Sequence, residues 1–300
     1  MTSMSGQVEI SGFTIVRNAG ILDFPFKESV RSAIPLCDEF IINCGDSDDN
    51  TFALCEELQQ EFPNKIKIIQ TVWERANQTG GFQLKAQSDT AMKHCRGSWL
   101  IYIQADEVFH EADYPLIRKA IQKANGLSEV DGIVFDYLHF YGNYSFLAQG
   151  RNWYRREVRA FKNGRDIESF RDAQGFRLSG KRLNAIASQA RVFHYGYVRN
   201  QEGLMKKTHQ LSQWWGEVPT TNEKAFQIYR LFGLTSFKGT HPQVIQEKIR
   251  HSNNLVDPSQ CERRWNKREL KNAVTLLWEK ICPFRLGEYR NYNLISPKSE

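Results

Sequence analysis

Three short polar clusters hold the residue types that can do chemistry. Arg17-Asn18 follows the apolar run in "FTIVRNAG". Asp46-Ser47-Asp48-Asp49 follows "FIINCG". Asp106-Glu107 follows "WLIYIQA". An unpaired buried charge is costly, so carboxylates at the end of a buried run need a cation, hydrogen-bond donors or a metal ion. Either the chain surfaces at Asp106-Glu107, or these carboxylates meet something there. Glu107 is adjacent to Asp106 in an extended stretch, so it can point away and pair with a basic residue.

The elements that must carry these clusters follow from periodicity. Residues 10–20 read as a strand and turn, 24–37 as a helix and 38–51 as a strand and polar loop. Residues 51–62 read as a helix, 65–73 as a strand and 80–97 as a loop and helix ending at Gly97. Residues 99–103 form a strand, 113–124 a helix and 130–142 a strand. Strands alternating with helices predict an α/β fold with a mostly parallel sheet flanked by helices. In such sheets ligands sit beyond the carboxyl ends of the strands. All three clusters fall at those ends, and their shared position describes a site. From residue 143 the pattern changes: 156–177 reads as short strands and turns, and 189–200 as a strand. Beyond 200, helices are predicted within 204–218, 222–234, 241–252 and 267–281. A division at about residue 200 separates an α/β part, 1–200, from a basic, aromatic-rich helical extension, 201–300.

Charge supports that division. Residues 1–150 hold 12 Lys and Arg against 20 Asp and Glu, and residues 151–300 hold 28 against 14, giving −8 and +14. The basic half suits an anionic partner: a phosphorylated substrate, an anionic membrane face or nucleic acid. The acidic first half argues against nucleic acid. The six cysteines form no CxxC pair and read as free thiols of a reducing compartment, which excludes a zinc ribbon or finger. No signal peptide or membrane-spanning run is read from the sequence. A cytoplasmic location is expected, with the inner membrane face as an option.

The pieces "FTIVRNAG", "IINCGDSDDNT" and "KAQSDTAMKHCRGSWLIYIQADEV", in this order over about residues 10–112, resemble family 2-type glycosyltransferases of the GT-A fold. "VRAFKNGRDIES" and "VFHYGY" resemble the later part of the lipopolysaccharide-core-type members. The resemblance implies a nucleotide-binding GT-A-like sheet and sugar transfer, with inversion, from a nucleotide-sugar donor, by family association a UDP-sugar. It implies a divalent cation, Mn²⁺ or Mg²⁺, at the diphosphate, where developing charge needs stabilising. Asp106 matches the second Asp of the D-x-D motif and is the expected metal ligand. Gln104 stands where the first Asp would be, which weakens the expected metal dependence. His194 is either a further ligand or a core histidine among aromatic residues.

Around these, Arg17, Asn18, Asp46, Lys85, Asp89, Gln104 and Ala105 are expected at the nucleotide-sugar. Asp46 and Asp89 would lie near the base or ribose, and Lys85 and Arg17 near the diphosphate or simply at the surface. Asp48 is an alternative cap for the helix at 51. An inverting transfer needs a general base. Asp172, beside Arg171, occupies the expected stretch, with a structural turn aspartate as the rival reading and Asp136 and Glu168 as weaker candidates. Trp73, Trp153, Trp214 and Trp215 can stack on sugar faces or serve as core. The basic extension would take an anionic glycan or lipid-linked acceptor, with peripheral membrane contact as a further option. Two other readings remain: a nucleotidyltransferase, and a non-catalytic glycan-binding protein on a degenerate transferase fold.

Overall fold

The computed structural model describes residues 9–74, 80–215, 227–282, 285 and 288–296, without the side chains of residues 211 and 213–215. The first half builds as its periodicity demands. Strands β1 (Ile10–Val16), β2 (Glu39–Gly45), β3 (Ile66–Thr71) and β4 (Trp99–Tyr102) alternate with helices α1 (Phe26–Ala33), α2 (Thr51–Glu61) and α3 (Phe82–Met92). These four strands run parallel in the order β3-β2-β1-β4. β1 and β4 are buried along their whole length because helices cover both faces of the sheet. Ile10 and Val16 point to one apolar layer, with Phe26 and Val30 of α1 and Cys55 and Leu58 of α2. Phe13 and Ile15 point to the other, with Ala91 of α3.

Next come β5 (Glu107–Phe109), α4 (Tyr114–Asn125), β6 (Gly132–Tyr141), β7 (Asn143–Ala148), β8 (Arg156–Lys162), β9 (Ile167–Phe170), β10 (Gly175–Leu178) and β11 (Lys181–Tyr197). α4 buries Ile117, Ala120, Ile121 and Ala124, one stripe at helical spacing. Here the expectation of a mostly parallel sheet is corrected: the sheet is mixed. β8 inserts antiparallel between β4 and β6, β6 and β11 run parallel, and β10 and β9 continue antiparallel. Hairpins over 130–180 can only add antiparallel strands, and the sequence pattern of a two-sided buried strand does not reveal direction. β11 is 17 residues long and changes register against β6 after Ala187 and after His194. Such irregularities re-aim side chains, and the second lies beside His194.

After residue 200 come α5 (Gln201–Trp215), β12 (Leu234–Ser236), α6 (Gln246–His251), α7 (Lys267–Ile281) and β13 (Tyr292–Leu294). β12 pairs with β7 and β13 with β11, so the chain returns twice to the sheet after residue 200. The helix expected over 222–234 is not formed in its described part. Residues 227–233 are irregular, and Phe232 satisfies its backbone with side chains of α7: its N–H donates to Glu269 and its carbonyl accepts from Asn272. Gly233 follows at φ +79°, where an added Cβ would meet the Gln149 carbonyl at 2.6 Å. Among the described residues no helix is long and apolar enough to cross a membrane.

Candidate active site

The two carboxylates that end the β4 run part company. Glu107 turns into the core and receives two bonds from Arg159: Nε to Oε2 at 2.9 Å and Nη2 to Oε1 at 2.8 Å. Tyr137 Oη donates to Oε1 at 2.7 Å. Both members of the pair are fully buried, and the bidentate geometry with an added hydroxyl is what such burial requires. Asp106 turns the other way, into a cavity of about 670 Å³ at the carboxyl ends of β1 and β4.

At Asp106, three elements converge. Lys207 of α5 places Nζ 2.8 Å from Oδ2, and His194 of β11 places Nε2 3.6 Å from the same oxygen. Burial by itself would raise the Asp106 carboxyl. The Lys207 ammonium, with help from His194 and Arg199, outweighs burial and holds it well below the usual carboxylate range. Gly196 makes this approach feasible: an added Cβ would stand 2.6 Å from Asp106 Oδ2 and 2.7 Å from the His194 ring.

Behind His194 lies His139 of β6, its register partner, with the two Nδ1 atoms 3.1 Å apart. His139 Nε2 lies 2.8 Å from the Tyr154 carbonyl oxygen, which only accepts, so Nε2 carries the proton. Burial keeps His139 neutral, with its pKa lowered to about 3, and its neighbour His194 adds to that. A neutral His139 protonated at Nε2 accepts at Nδ1, so His194 donates from Nδ1. His194 is itself held neutral, lowered to about 4, by burial and then by Lys207 and Arg159. Its Nε2 therefore keeps a lone pair beside Asp106 Oδ2. The chain Tyr154–His139–His194 thus fixes a tautomer.

Two acceptors facing one point suit a cation, and Lys207 already supplies one. Gln104 replaces a second acid, Glu107 is held by Arg159, and no group of three or more metal-ligating side chains occurs among the described residues. A divalent ion would have to displace the Lys207 ammonium from Asp106. Asp106 and His194 are the side chains that would hold such an ion, with a diphosphate and waters supplying the remaining oxygens.

Across the cavity wall, Asp172 sits in the turn between β9 and β10. Both neighbours, Arg171 and Ala173, take left-handed φ values of 56° and 60°. Non-glycine residues rarely adopt these, and such strain gathers at functional sites. The turn is clamped by Gln104 Nε2 to the Ala173 carbonyl at 3.4 Å and by Arg159 Nη1 to the Gln174 carbonyl at 3.1 Å. Asp172 Oδ1 is buried with no hydrogen-bond partner among the described residues. Burial raises the Asp172 pKa, against the opposing pull of backbone N–H groups.

The other sequence candidates divide. Arg17, Gln104, Ala105, Asp106, Asp172 and His194 line the cavity. Arg17 ties the loop after β1 to the loop after β2, donating to the Asp46 carbonyl at 2.7 Å and to Asp48 at 3.3 Å. Asn18 donates to Asp48 and accepts from its N–H, while Asp46 Oδ1 accepts from Trp73 N–H. Asp48 is thus not the cap of α2; Asp49 accepts from Thr51 N–H instead. Lys85 and Asp89 lie off the cavity wall. Lys85 bonds Asp89 and Glu168, and Asp89 accepts from Ser169 N–H. Asp136 is bonded to Arg156. Trp73 and Trp153 line the cavity, whereas the side chains of Trp214 and Trp215 lie outside the described residues. Sequence reasoning missed Lys207 and His139. Each becomes visible only when α5 and β6 are brought against β11.

No protein-family model and no curated protein sequence matches the chain. Among solved structures it is similar to residues 1–349 of S. aureus TarS in complex with UDP, at 15% identity and TM-score 0.34, covering 48% of this chain and 39% of that one. It is also similar to the mannosyltransferase PcManGT from Pyrobaculum calidifontis in complex with GDP-Man and Mn²⁺, at 14% identity and TM-score 0.40, covering 82% and 69%. The matched part spans well under half of that TarS chain. These superpositions are loose.

Proposed function

We propose that the protein is a glycosyltransferase that moves a sugar from a nucleotide-sugar donor to an acceptor hydroxyl, with inversion. The observation that carries this is the cavity itself. It lies at the carboxyl ends of parallel strands and joins a cationic group, Lys207 on Asp106, to a carboxylate with one unpartnered oxygen, Asp172. The resemblance of residues 10–112 supports the same reading. UDP is the nucleotide first expected.

In this reading the diphosphate lies against Lys207 and Arg17, both of which line the cavity. The bond between the anomeric carbon and the diphosphate oxygen breaks, and its electron pair leaves with the nucleotide. The acceptor oxygen forms the new bond from the opposite face and gives its proton to Asp172. A carboxylate with a raised pKa and a free oxygen suits that task. Lys207 supplies the positive charge that a bridging cation would otherwise bring to the leaving diphosphate. In this reading Lys207 takes the place of the expected Mn²⁺ or Mg²⁺. Gln104 serves to hold the Asp172 turn, and Trp153 or Trp73 offers an apolar face to the sugar. Arg264 and Arg268 also line the cavity and suit an anionic glycan or lipid-linked acceptor.

The test is release of nucleotide diphosphate from a panel of UDP- and GDP-sugars, with glycan acceptors and with chelator present. Turnover of one donor that chelator leaves unchanged is expected. Nucleotide binding without turnover of any donor, with or without acceptor, would favour the non-catalytic glycan-binding reading, for which Gln104 is the supporting residue.

A further inference from the structure

Helix α7 is inside out. Its buried positions are polar: Glu269, Asn272 and Thr275. Glu269 and Asn272 bind the irregular stretches around residues 149–153 and Phe232: Glu269 accepts from Asn152 and Phe232, and Asn272 accepts from Arg151 N–H and donates to the Phe232 carbonyl. The opposite face is apolar and open. Leu270, Val274, Leu277 and Ile281 keep 49%, 67%, 61% and 84% of their surface exposed. Their spacing of four, three and four residues sets them in one continuous stripe. A helix in a water-soluble surface layer normally points such a stripe inward, and an outward stripe marks an interaction site.

The flanks of the stripe say what covers it. Lys267 and Lys271 lie along one margin by helical phase and Lys280 along the other, all exposed. The acids of α7 are engaged elsewhere: Glu269 in the buried contacts above, and Glu279 with Arg285 at 2.8 Å. We propose that α7 lies in the plane of an anionic lipid surface, its apolar stripe at the level of the acyl chains and its lysines among the headgroup phosphates. A second copy of the chain is disfavoured by the same observation, because two such stripes facing each other would set lysines against lysines with no opposing acid on that face. Apolar residues flanked by lysines on one helix are the pattern of an interfacial helix, and each such lysine gains from a negative surface potential.

The docking also has a place in the architecture. Asn266, the N-cap of the same helix, and Arg268 and Glu269 of its first turn line the cavity. A lipid surface on one face of α7 would lie one helix thickness from the cavity wall. The docking itself does not depend on the reaction assigned to the cavity.

The experiment is flotation of the full chain with vesicles of phosphatidylcholine alone or mixed with phosphatidylglycerol, at low and high salt. Binding to the mixed vesicles, weakened by salt, is expected. Leu277→Glu with Ile281→Glu should lower the partition constant about a hundredfold, roughly tenfold per lost side chain. These side chains are exposed, so the melting midpoint should hold; should the double variant melt early, Lys271→Glu with Lys280→Glu removes the lipid attraction without touching the stripe. Absence of binding to any vesicle, equal binding to both vesicle types, or binding unchanged in both variants would overturn the proposal. So would a concentration-dependent dimer in lipid-free solution that the Leu277→Glu, Ile281→Glu variant dissolves, since the stripe would then face a second copy.

Discussion

Lys207 Nζ stands 2.8 Å from Asp106 Oδ2, in a cavity that also holds the unpartnered carboxylate oxygen of Asp172. Burial draws the Lys207 pKa down while Asp106 pulls it back up. The pair is thus a held positive charge facing a held negative one.

Lys207→Met removes the cation and leaves a carboxylate buried without a partner. Breaking such a pair costs about 3–5 kcal/mol when fully buried, and less here because both side chains keep some exposure. The melting midpoint should fall, and binding of nucleotide diphosphate should weaken by about tenfold or more. Because the acceptors on Asp106 and His194 are then vacated, Mn²⁺ should begin to raise nucleotide affinity in the variant. Equal nucleotide affinity in the two proteins, measured by calorimetry, would remove Lys207 from the donor site.

Asp172→Asn keeps the turn and removes the base. Turnover should fall by roughly 10²–10⁴-fold with donor affinity unchanged. A loss in donor KM with kcat preserved would assign Asp172 to binding.

Glu107→Gln keeps the shape of the buried pair and removes its charge, leaving the Arg159 guanidinium without a counter-ion. A destabilisation of about 3–5 kcal/mol is expected from denaturant unfolding. Because Arg159 also holds the Gln174 carbonyl of the Asp172 turn, activity should fall further than stability alone explains.

Stability should depend on pH in a defined direction. His139 and His194 are held neutral in the fold, with pKa values lowered to about 3 and about 4. The unfolded chain therefore binds more protons as pH falls below about 6.5, and stability is lost from there down through about 4 for His194 and about 3 for His139. Glu157 acts oppositely. Its pKa is pushed up by burial to about 7 against the pull of Arg159, so its contribution is present at low pH and lost as pH rises through about 7. The two histidines outnumber the one glutamate, so the melting midpoint should fall on acidification from 6.5 to 4. His139→Gln should flatten that slope, and Glu157→Gln should steepen the acid side. A midpoint constant over this range would contradict the buried, neutral histidine pair.

Much of this was legible in the chain. The runs ending at Val16, Gly45 and Tyr102 are rich in apolar residues and buried along nearly their whole length because both faces of those strands are covered, and the polar residues that follow each run collect on one edge. That Glu107 can pair with a basic residue follows from its place beside Asp106; that the partner is Arg159, 52 positions away, has no local signal. The insertion of β8 between β4 and β6 is not legible in the chain because period-two patterning carries no direction. His139 looked like any polar residue on a strand until β6 lay beside β11, and Lys207 looked like one of two adjacent lysines on a helix. The spacing of Leu270, Val274, Leu277 and Ile281 announced a helix correctly. Spacing alone would turn that stripe inward, and it is the hydrogen bonds of Glu269 and Asn272 that turn it out.

The most direct test is thermal unfolding of the wild-type chain with UDP and GDP, each with Mn²⁺ and with chelator. A nucleotide at about a hundred times its Kd adds ~2.7 kcal/mol of stability. A shift with one nucleotide that chelator leaves intact, and that shrinks in Lys207→Met, is the predicted result. A shift that appears only with Mn²⁺ would give the diphosphate to a metal rather than to Lys207, and no shift with either nucleotide would contradict a donor site in this cavity.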